Sequence, residues 1–260
     1  MDVAKNLKVE EVLNKGGQKE FRSAVGKLVN VNNKSRPDVC FEAKCLSMLF
    51  GKATKKDLRV ALKKMQKLQG IKTTMFFPYL GPEEEWTLMG YGDTGVKSLP
   101  DKLSSCRGQV IMLVNKRKKK VCIINWKSKK IMRRVVSFLA AEALALVAVR
   151  GTCEYFKALL KDIFGEKMAT MPIVLYTDTR NLSRAVHSTN QVEDDWLMVD
   201  VVAVKDALDN HTVESIRRIS AKMMLADCLT KSGASPEMLM KVLQTGEYEM
   251  PDGIPDDVPQ

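Results

Sequence analysis

Apolar positions along this chain recur with two different periods, and the change falls near residue 71. Before it, spacings of three and four predict helices. Phe21, Val25 and Leu28 mark one over 21–31. Ser35 with Pro37 predicts the start of a second, a capping hydroxyl followed by a proline in the first turn. Val39, Ala43, Leu46 and Leu49 then share a face. A third helix begins near Thr54 and carries Leu58, Leu62, Met65 and Leu68 before Gly70. Together they predict a small helical module over 21–70 behind a polar, flexible lead-in over 1–20.

After residue 71, short apolar runs predict strands over 71–77, 86–93, 109–114, 121–126, 171–178 and 212–219. Helices are expected over 137–164, 181–187, 192–208 and 221–231, and from Ser235 to about Leu243. Strands alternating with helices indicate an α/β domain, assigned to 71–246. Residues 247–260 are rich in Pro and Asp and are expected to form a disordered tail.

Charge changes the picture in one respect. The net charge is +11, but residues 1–130 hold 28 Lys and Arg against 12 Asp and Glu, whereas 131–260 hold 14 against 19. A basic first half suggests a polyanion partner, and the acidic half is where metal-binding carboxylates are sought. The basic run Lys116–Lys120 joins two strands as a hairpin turn. It reads as a solvated tip, a phosphate contact or a nuclear localisation signal. The six cysteines form no CxxC pair and only two histidines exist, so a zinc site is not indicated. No apolar run approaches the ~20 residues of a membrane span. An intracellular protein with reduced cysteines is expected, in a cytoplasmic particle or the nucleus, with no membrane partner.

Three carboxylates stand out. Asp93 ends the strand from Trp86, sharing a face with Thr87, Met89 and Tyr91. Asp178 ends a mostly apolar strand from Met171. Glu142 is embedded in an apolar helical stripe, where a charge is costly unless compensated. Ligand sites in open α/β sheets lie at the carboxyl ends of strands. For a fourth carboxylate, Asp200 and Asp227 compete on pattern alone.

Five segments carry a resemblance: Tyr91-Gly92-Asp93, Trp126-Lys127-Ser128-Lys129-Lys130, Leu139 to Leu146, Tyr176-Thr177-Asp178, and Leu225 to Lys231. In this order and spacing they resemble the ribonuclease H domain of copia-type LTR retrotransposon Pol polyproteins. The helical module is similar to the reverse transcriptase connection that precedes that domain. The resemblance implies a ribonuclease H-like mixed sheet of about five strands flanked by helices. It implies Asp93, Glu142, Asp178 and Asp227 as catalytic metal ligands for two Mg²⁺ ions (or Mn²⁺), and the RNA strand of an RNA–DNA hybrid as substrate. An upstream polymerase part is the implied partner where present. Lys127, Lys129, Lys130, Arg133, Arg134 and Asn181 are the candidate nucleic-acid contacts. The sequence departs from the family at Thr94-Gly95 and Thr179, and lacks an aromatic near Arg217–Ser220. The alternative expectation is a catalytically weak or inactive retroelement-derived protein that binds nucleic acid or a partner.

Overall fold

The computed structural model describes residues 11–135, 137–188 and 195–255, with backbone alone at 195 and 196. The chain divides into two compact units, Met1–Thr73 and Thr74–Gln260.

In the first unit, α1 (Lys15–Lys34), α2 (Cys40–Ser47) and α3 (Lys55–Gln69) close around Phe21, Val25, Leu28, Ala43, Leu46 and Ala61. Helix α1 starts before the first apolar residue of its stripe. Asn14 supplies the reason: its side chain accepts the Gly17 N–H at 2.9 Å and caps the helix. Ser35 ends α1 rather than starting the next helix. Pro37–Val39 forms a 3₁₀ turn in between, beside a buried Arg36 that donates to both oxygens of Asp38 at 2.8 and 2.7 Å. Thr54 and Asp57 form a capping box that fixes the start of α3. Of the flexible lead-in expected over 1–20, residues 1–10 lie outside the described residues.

The second unit contains a five-stranded sheet built from β1 (Trp86–Gly95), β2 (Cys106–Asn115), β3 (Lys120–Lys130), β4 (Ile173–Thr177) and β5 (Ser215–Arg218), in the order β3-β2-β1-β4-β5. β1 is central, antiparallel to β2 and parallel to β4. β2–β3 is antiparallel, with a bulge at Ile124, and β4–β5 is parallel. With its flanking helices this is the ribonuclease H-like mixed sheet the resemblance implies. Parallel neighbours need a crossover. α4 (Phe138–Phe164) supplies it between β3 and β4, and α5 (Arg180–His187) with α6 (Asp195–Asp209) supplies it between β4 and β5. Leu146, Val149 and Cys153 of α4 pack on Leu88, Ile111 and Leu175 in one buried core. The helix comes close because Gly90 has no side chain: a Cβ there would meet Val149 Cγ1 at 2.4 Å.

The opposite face carries Tyr91 stacked on Tyr176, with ring centroids 4.6 Å apart and Tyr248 edge-on to Tyr91. α7 (Glu237–Thr245) packs on β3 there. Within the segment expected as a disordered tail, residues 247–255 are described and form a strap across this face. Val121 N–H donates to Gly246 O at 2.9 Å and Tyr248 N–H to Lys119 O at 3.2 Å, beside β3. The Tyr176 hydroxyl of β4 donates to Pro251 O at 3.4 Å, and Ile254 N–H to Arg218 O of β5 at 2.7 Å.

Two expected elements are corrected. Residues 71–77 form no strand. A strand needs a ladder partner, and the outer edge of β3 is taken by residues 246–248 instead. Residues 221–231 form two 3₁₀ turns, Ala221–Met223 and Asp227–Leu229, not one helix. Side chains compete with the helical backbone here: the Ser220 hydroxyl accepts from Lys222 N–H, and the Thr230 hydroxyl donates to Asp227 O at 3.0 Å.

The basic hairpin tip lies at the Trp86 end of β1, the end away from Asp93. Lys116, Arg117, Lys119 and Lys120 face Glu214, Glu85, Glu249 and Glu247, and Lys118 lies over the Tyr79 ring at 5.5 Å. Its cations are engaged within the unit. No disulfide joins the six cysteines. Among the described residues, no helix is long and apolar enough to cross a membrane.

Candidate metal centre and nucleic-acid interface

Parallel pairing of β1 with β4 brings their carboxyl ends side by side, so Asp93 and Asp178 become neighbours. Ser137 starts α4 by accepting the Ala140 N–H at 3.1 Å. That places Glu142 in the second turn of the helix, above the strand ends. Asp93, Glu142 and Asp178 each offer an oxygen, and these atoms all lie within 4.8 Å of one another. The group opens to an open cleft of about 570 Å³, lined also by Thr94, Phe138, Arg180, Asn181 and Lys231.

The electrostatics of the group are those of a site that needs a cation. Glu142 Oε1 accepts from the Thr94 hydroxyl at 2.6 Å, while its buried Oε2 has no hydrogen-bond partner among the described residues. An unsatisfied buried carboxylate oxygen is costly. Burial, with the neighbouring Asp93 charge second, pushes Glu142 up to about 8. Burial raises Asp93 to about 6, against the opposing pull of Lys231. Asp178 is raised as well, again mainly by burial. The donor set is all oxygen, which suits a hard divalent cation such as Mg²⁺ or Mn²⁺.

These shifts set a pH dependence for the metal-free protein. A raised carboxylate means that the folded state holds protons the unfolded chain has released. Stability from Glu142 and Asp93 is therefore present below their ordinary carboxylate range and lost as pH rises towards about 6 and about 8. With chelator present, urea denaturation should show stability falling by a few kcal/mol between about pH 5 and pH 8. Millimolar Mg²⁺ should restore it at pH 8. A stability that is flat or rising across that window would contradict the assignment of these shifts.

Asp227 lies on a 3₁₀ turn beside this group, outside the three that converge, and its carboxylate is ion-paired with Lys231. Asp200, the sequence's other candidate for the fourth place, is buried on α6 and paired with Arg133. Thr230 and Lys231 both address Asp93 Oδ2, the first through its hydroxyl and the second with its ammonium at 3.6 Å. Neither was assigned a role from sequence, although both sit inside the segment around Asp227. The turn reaches the sheet only because β1 and β2 carry glycines beneath it. A Cβ at Gly95 would meet Thr230 O at 2.2 Å, and one at Gly108 would meet Ala226 O at 2.8 Å.

The candidate nucleic-acid residues separate by face. Lys127 and Lys129 project on the α4 side of β3, whereas Lys130 projects on the other side and pairs with Asp101 at 3.5 Å. Arg133 is engaged by Asp200, Arg134 is exposed, and Asn181 is exposed at the cleft. Sequence pattern missed Arg107. Strand register puts it beside Thr94 and opposite Lys129, with Lys127 opposite Gln109. Thr94, Arg107 and Lys129 thus form a row from the carboxylates to the sheet edge. Burial lowers the pKa of Arg107, and burial with the charges of Lys129 and Arg107 lowers that of Lys127. Like charges facing each other across strands are destabilising by themselves.

No family model matches the sequence, and no curated protein matches it. Among solved structures the chain is similar to RNase H1 from the halophilic archaeon Halobacterium salinarum, at 17% identity over 56% of this chain and 93% of that one, with a TM-score of 0.39. It is similar to LC11-RNase H1 in complex with an RNA/DNA hybrid, at 17% identity over 59% and 99%, TM-score 0.41. It is also similar to the NurA nuclease from Sulfolobus solfataricus, at 9% identity over 86% and 74%, TM-score 0.31. Likeness at this level carries no chemical argument, which rests instead on the residues described above.

Proposed function

We propose that this chain is a ribonuclease H-type endonuclease that hydrolyses the RNA strand of RNA–DNA hybrids with a divalent cation, most simply Mg²⁺. The observation that carries the reading is the convergence of Asp93, Glu142 and Asp178 around a buried, unpartnered Glu142 oxygen at the head of a basic row. The hybrid as substrate rests on the sequence resemblance, as does the derivation from a retrotransposon Pol polyprotein. The first unit would then join this catalytic unit to an upstream polymerase part where one is present.

Hydrolysis forms a bond from water oxygen to phosphorus and breaks a P–O bond, the proton passing to the departing oxygen. A cation held by Asp93, Glu142 and Asp178 would supply Lewis-acid polarisation of the phosphate and a more acidic bound water. The chain's own residues do the rest. Thr94 holds Glu142 by its Oε1. Thr230 fixes the Asp93 carboxylate by its Oδ2. Arg107, Lys127 and Lys129 would take phosphates of the strand leading to the cleft, orienting the scissile bond without reading sequence. Contacts to the RNA 2′-hydroxyl would distinguish the strands.

The deciding assay presents the purified protein with labelled RNA–DNA hybrid, single-stranded RNA and duplex DNA in Mg²⁺. Cleavage of the hybrid's RNA alone is the expected result. Salt-sensitive binding with no cleavage of any substrate would replace this reading by that of a non-catalytic nucleic-acid-binding protein. A second measurement isolates the basic row. Each phosphate contact contributes about −0.9 to the slope of log K against log salt for a duplex. Lys127→Ala with Lys129→Ala should make that slope shallower by about 1–2, with the fold unchanged by circular dichroism. An unaltered slope would remove these lysines from the interface.

A further inference from the structure

We propose that the ammonium of Lys231 is a resident cation, holding the place between Asp93 and Asp227 that a second divalent ion would take, so that the site binds one metal ion and not two. The inference rests on the reading of Asp93, Glu142 and Asp178 as a cation locus, and goes beyond it by assigning the other half of the site.

The geometry is specific. Lys231 Nζ is ion-paired with Asp227 Oδ1 and stands 3.6 Å from Asp93 Oδ2. It therefore joins two of the four carboxylates that a pair of divalent ions would share. Thr230, one residue earlier, donates to the same Asp93 oxygen and also to the Asp227 carbonyl, so Oδ2 is occupied from two directions. Glu142 Oε2, by contrast, is unpartnered among the described residues. One side of Asp93 is therefore filled by the chain itself.

The position of the ammonium is built in. The Asp227–Leu229 turn carries both the acid and, one turn on, the base. Backbone contact at Gly95 and Gly108 seats that turn on the sheet. Charge balance agrees. One divalent cation and one ammonium together offset three of the four carboxylate charges. A second divalent cation beside the ammonium would over-neutralise the site and would be repelled at contact distance. Asp101, the acid on the loop after β1, is engaged with Ser104 and Lys130 and is not free to join the site.

The test is the stoichiometry of Mn²⁺ bound by the metal-free full-length protein, read by titration calorimetry and by electron paramagnetic resonance. The wild type should bind one ion and show an isolated-ion spectrum. Lys231→Met should bind two, the second at least tenfold more tightly than the wild type can, with the spectrum of a spin-coupled pair. Lys231→Arg should bind one, and Asp227→Asn added to Lys231→Met should return the count to one. Two ions in the wild type, or one in Lys231→Met, would overturn the proposal. Should Lys231→Met not fold by circular dichroism, Lys231→Gln carries the same comparison. Glu142→Gln separates the two layers of the argument, because it should abolish the single wild-type ion. If the wild type binds none, or Glu142→Gln keeps its ion, the cation locus itself is wrong and the proposal falls with it.

Discussion

Replacing Glu142 by Gln is expected to lower hydrolysis by about a thousandfold, ~4 kcal/mol of transition-state stabilisation, while making the metal-free protein harder to unfold at pH 8. The two effects share one cause. Glu142 is buried, raised to about 8, and leaves Oε2 without a donor. A neutral isostere removes the penalty of ionising that group inside the fold. It keeps an oxygen for the Thr94 hydroxyl, which now holds Oε1 at 2.6 Å. The stability gain should be about 2 kcal/mol at pH 8 and should vanish near pH 4, where glutamate is protonated in both states. Added Mg²⁺ should stabilise the wild type and leave the variant unmoved. A variant that is both active and metal-responsive would remove Glu142 from the centre. One that is inactive and less stable at pH 8 would make its role structural.

The second large effect is in packing. Gly90→Val should cost about 3 kcal/mol of stability in urea denaturation. Its Cβ alone would meet Val149 Cγ1 at 2.4 Å, Cys153 Sγ at 2.9 Å and Leu175 Cδ2 at 3.1 Å, and all three residues are fully buried. A close-packed interior cannot absorb the three extra carbons of valine without moving an element. The element that can move is α4, which carries Glu142, so activity should fall in the fraction that remains folded. Val149→Ala on the Gly90→Ala background should recover most of the smaller loss caused by Gly90→Ala, because it removes the nearest clash. Equal losses with and without Val149→Ala would show that the strand, not the helix contact, sets the cost. The same residue explains why a strand this apolar carries glycine at all.

Much of the site was legible because it obeys one-dimensional rules. Asp93 and Asp178 lie near the carboxyl ends of apolar strands, and Glu142 interrupts an apolar helical stripe, so each is anomalous in its own neighbourhood. The parallel pairing of β1 with β4 that makes the two aspartates neighbours was less legible, because α4 follows β3 and not β1. The fourth acid was a different matter. Asp200 and Asp227 look alike in local pattern, and in sequence only the resemblance of Leu225 to Lys231 chose Asp227; the structure pairs Asp200 with Arg133 and Asp227 with Lys231. Arg107 was invisible for a related reason: its meaning lies in cross-strand register with Thr94 and Lys129, which no local pattern encodes. The segment 221–231 has helical spacing, yet hydroxyl groups at Ser220 and Thr230 redirect the backbone into separate turns. The stretch 71–77 has strand composition, but composition cannot say that the sheet edge is already occupied. Within the end of the chain, residues 247–255 were misjudged on composition too, since Tyr248 is buried by contact with Tyr91 despite its Pro- and Asp-rich neighbours.

That occupied edge has a consequence for solubility. β3 spans 11 residues and is the outermost strand on its side, whereas β5 at the other side spans only 4. A long outer strand presents a row of amide and carbonyl groups that invites strand addition from a neighbouring molecule. Here Gly246 and Tyr248 engage the backbone at the start of β3, and Glu247 and Glu249 place carboxylates over Lys120 and Lys119. Proteolysis just before Gly246 would leave the carboxylate centre intact but strip that cover. The trimmed protein would then be lost first to self-association, before any loss of chemistry.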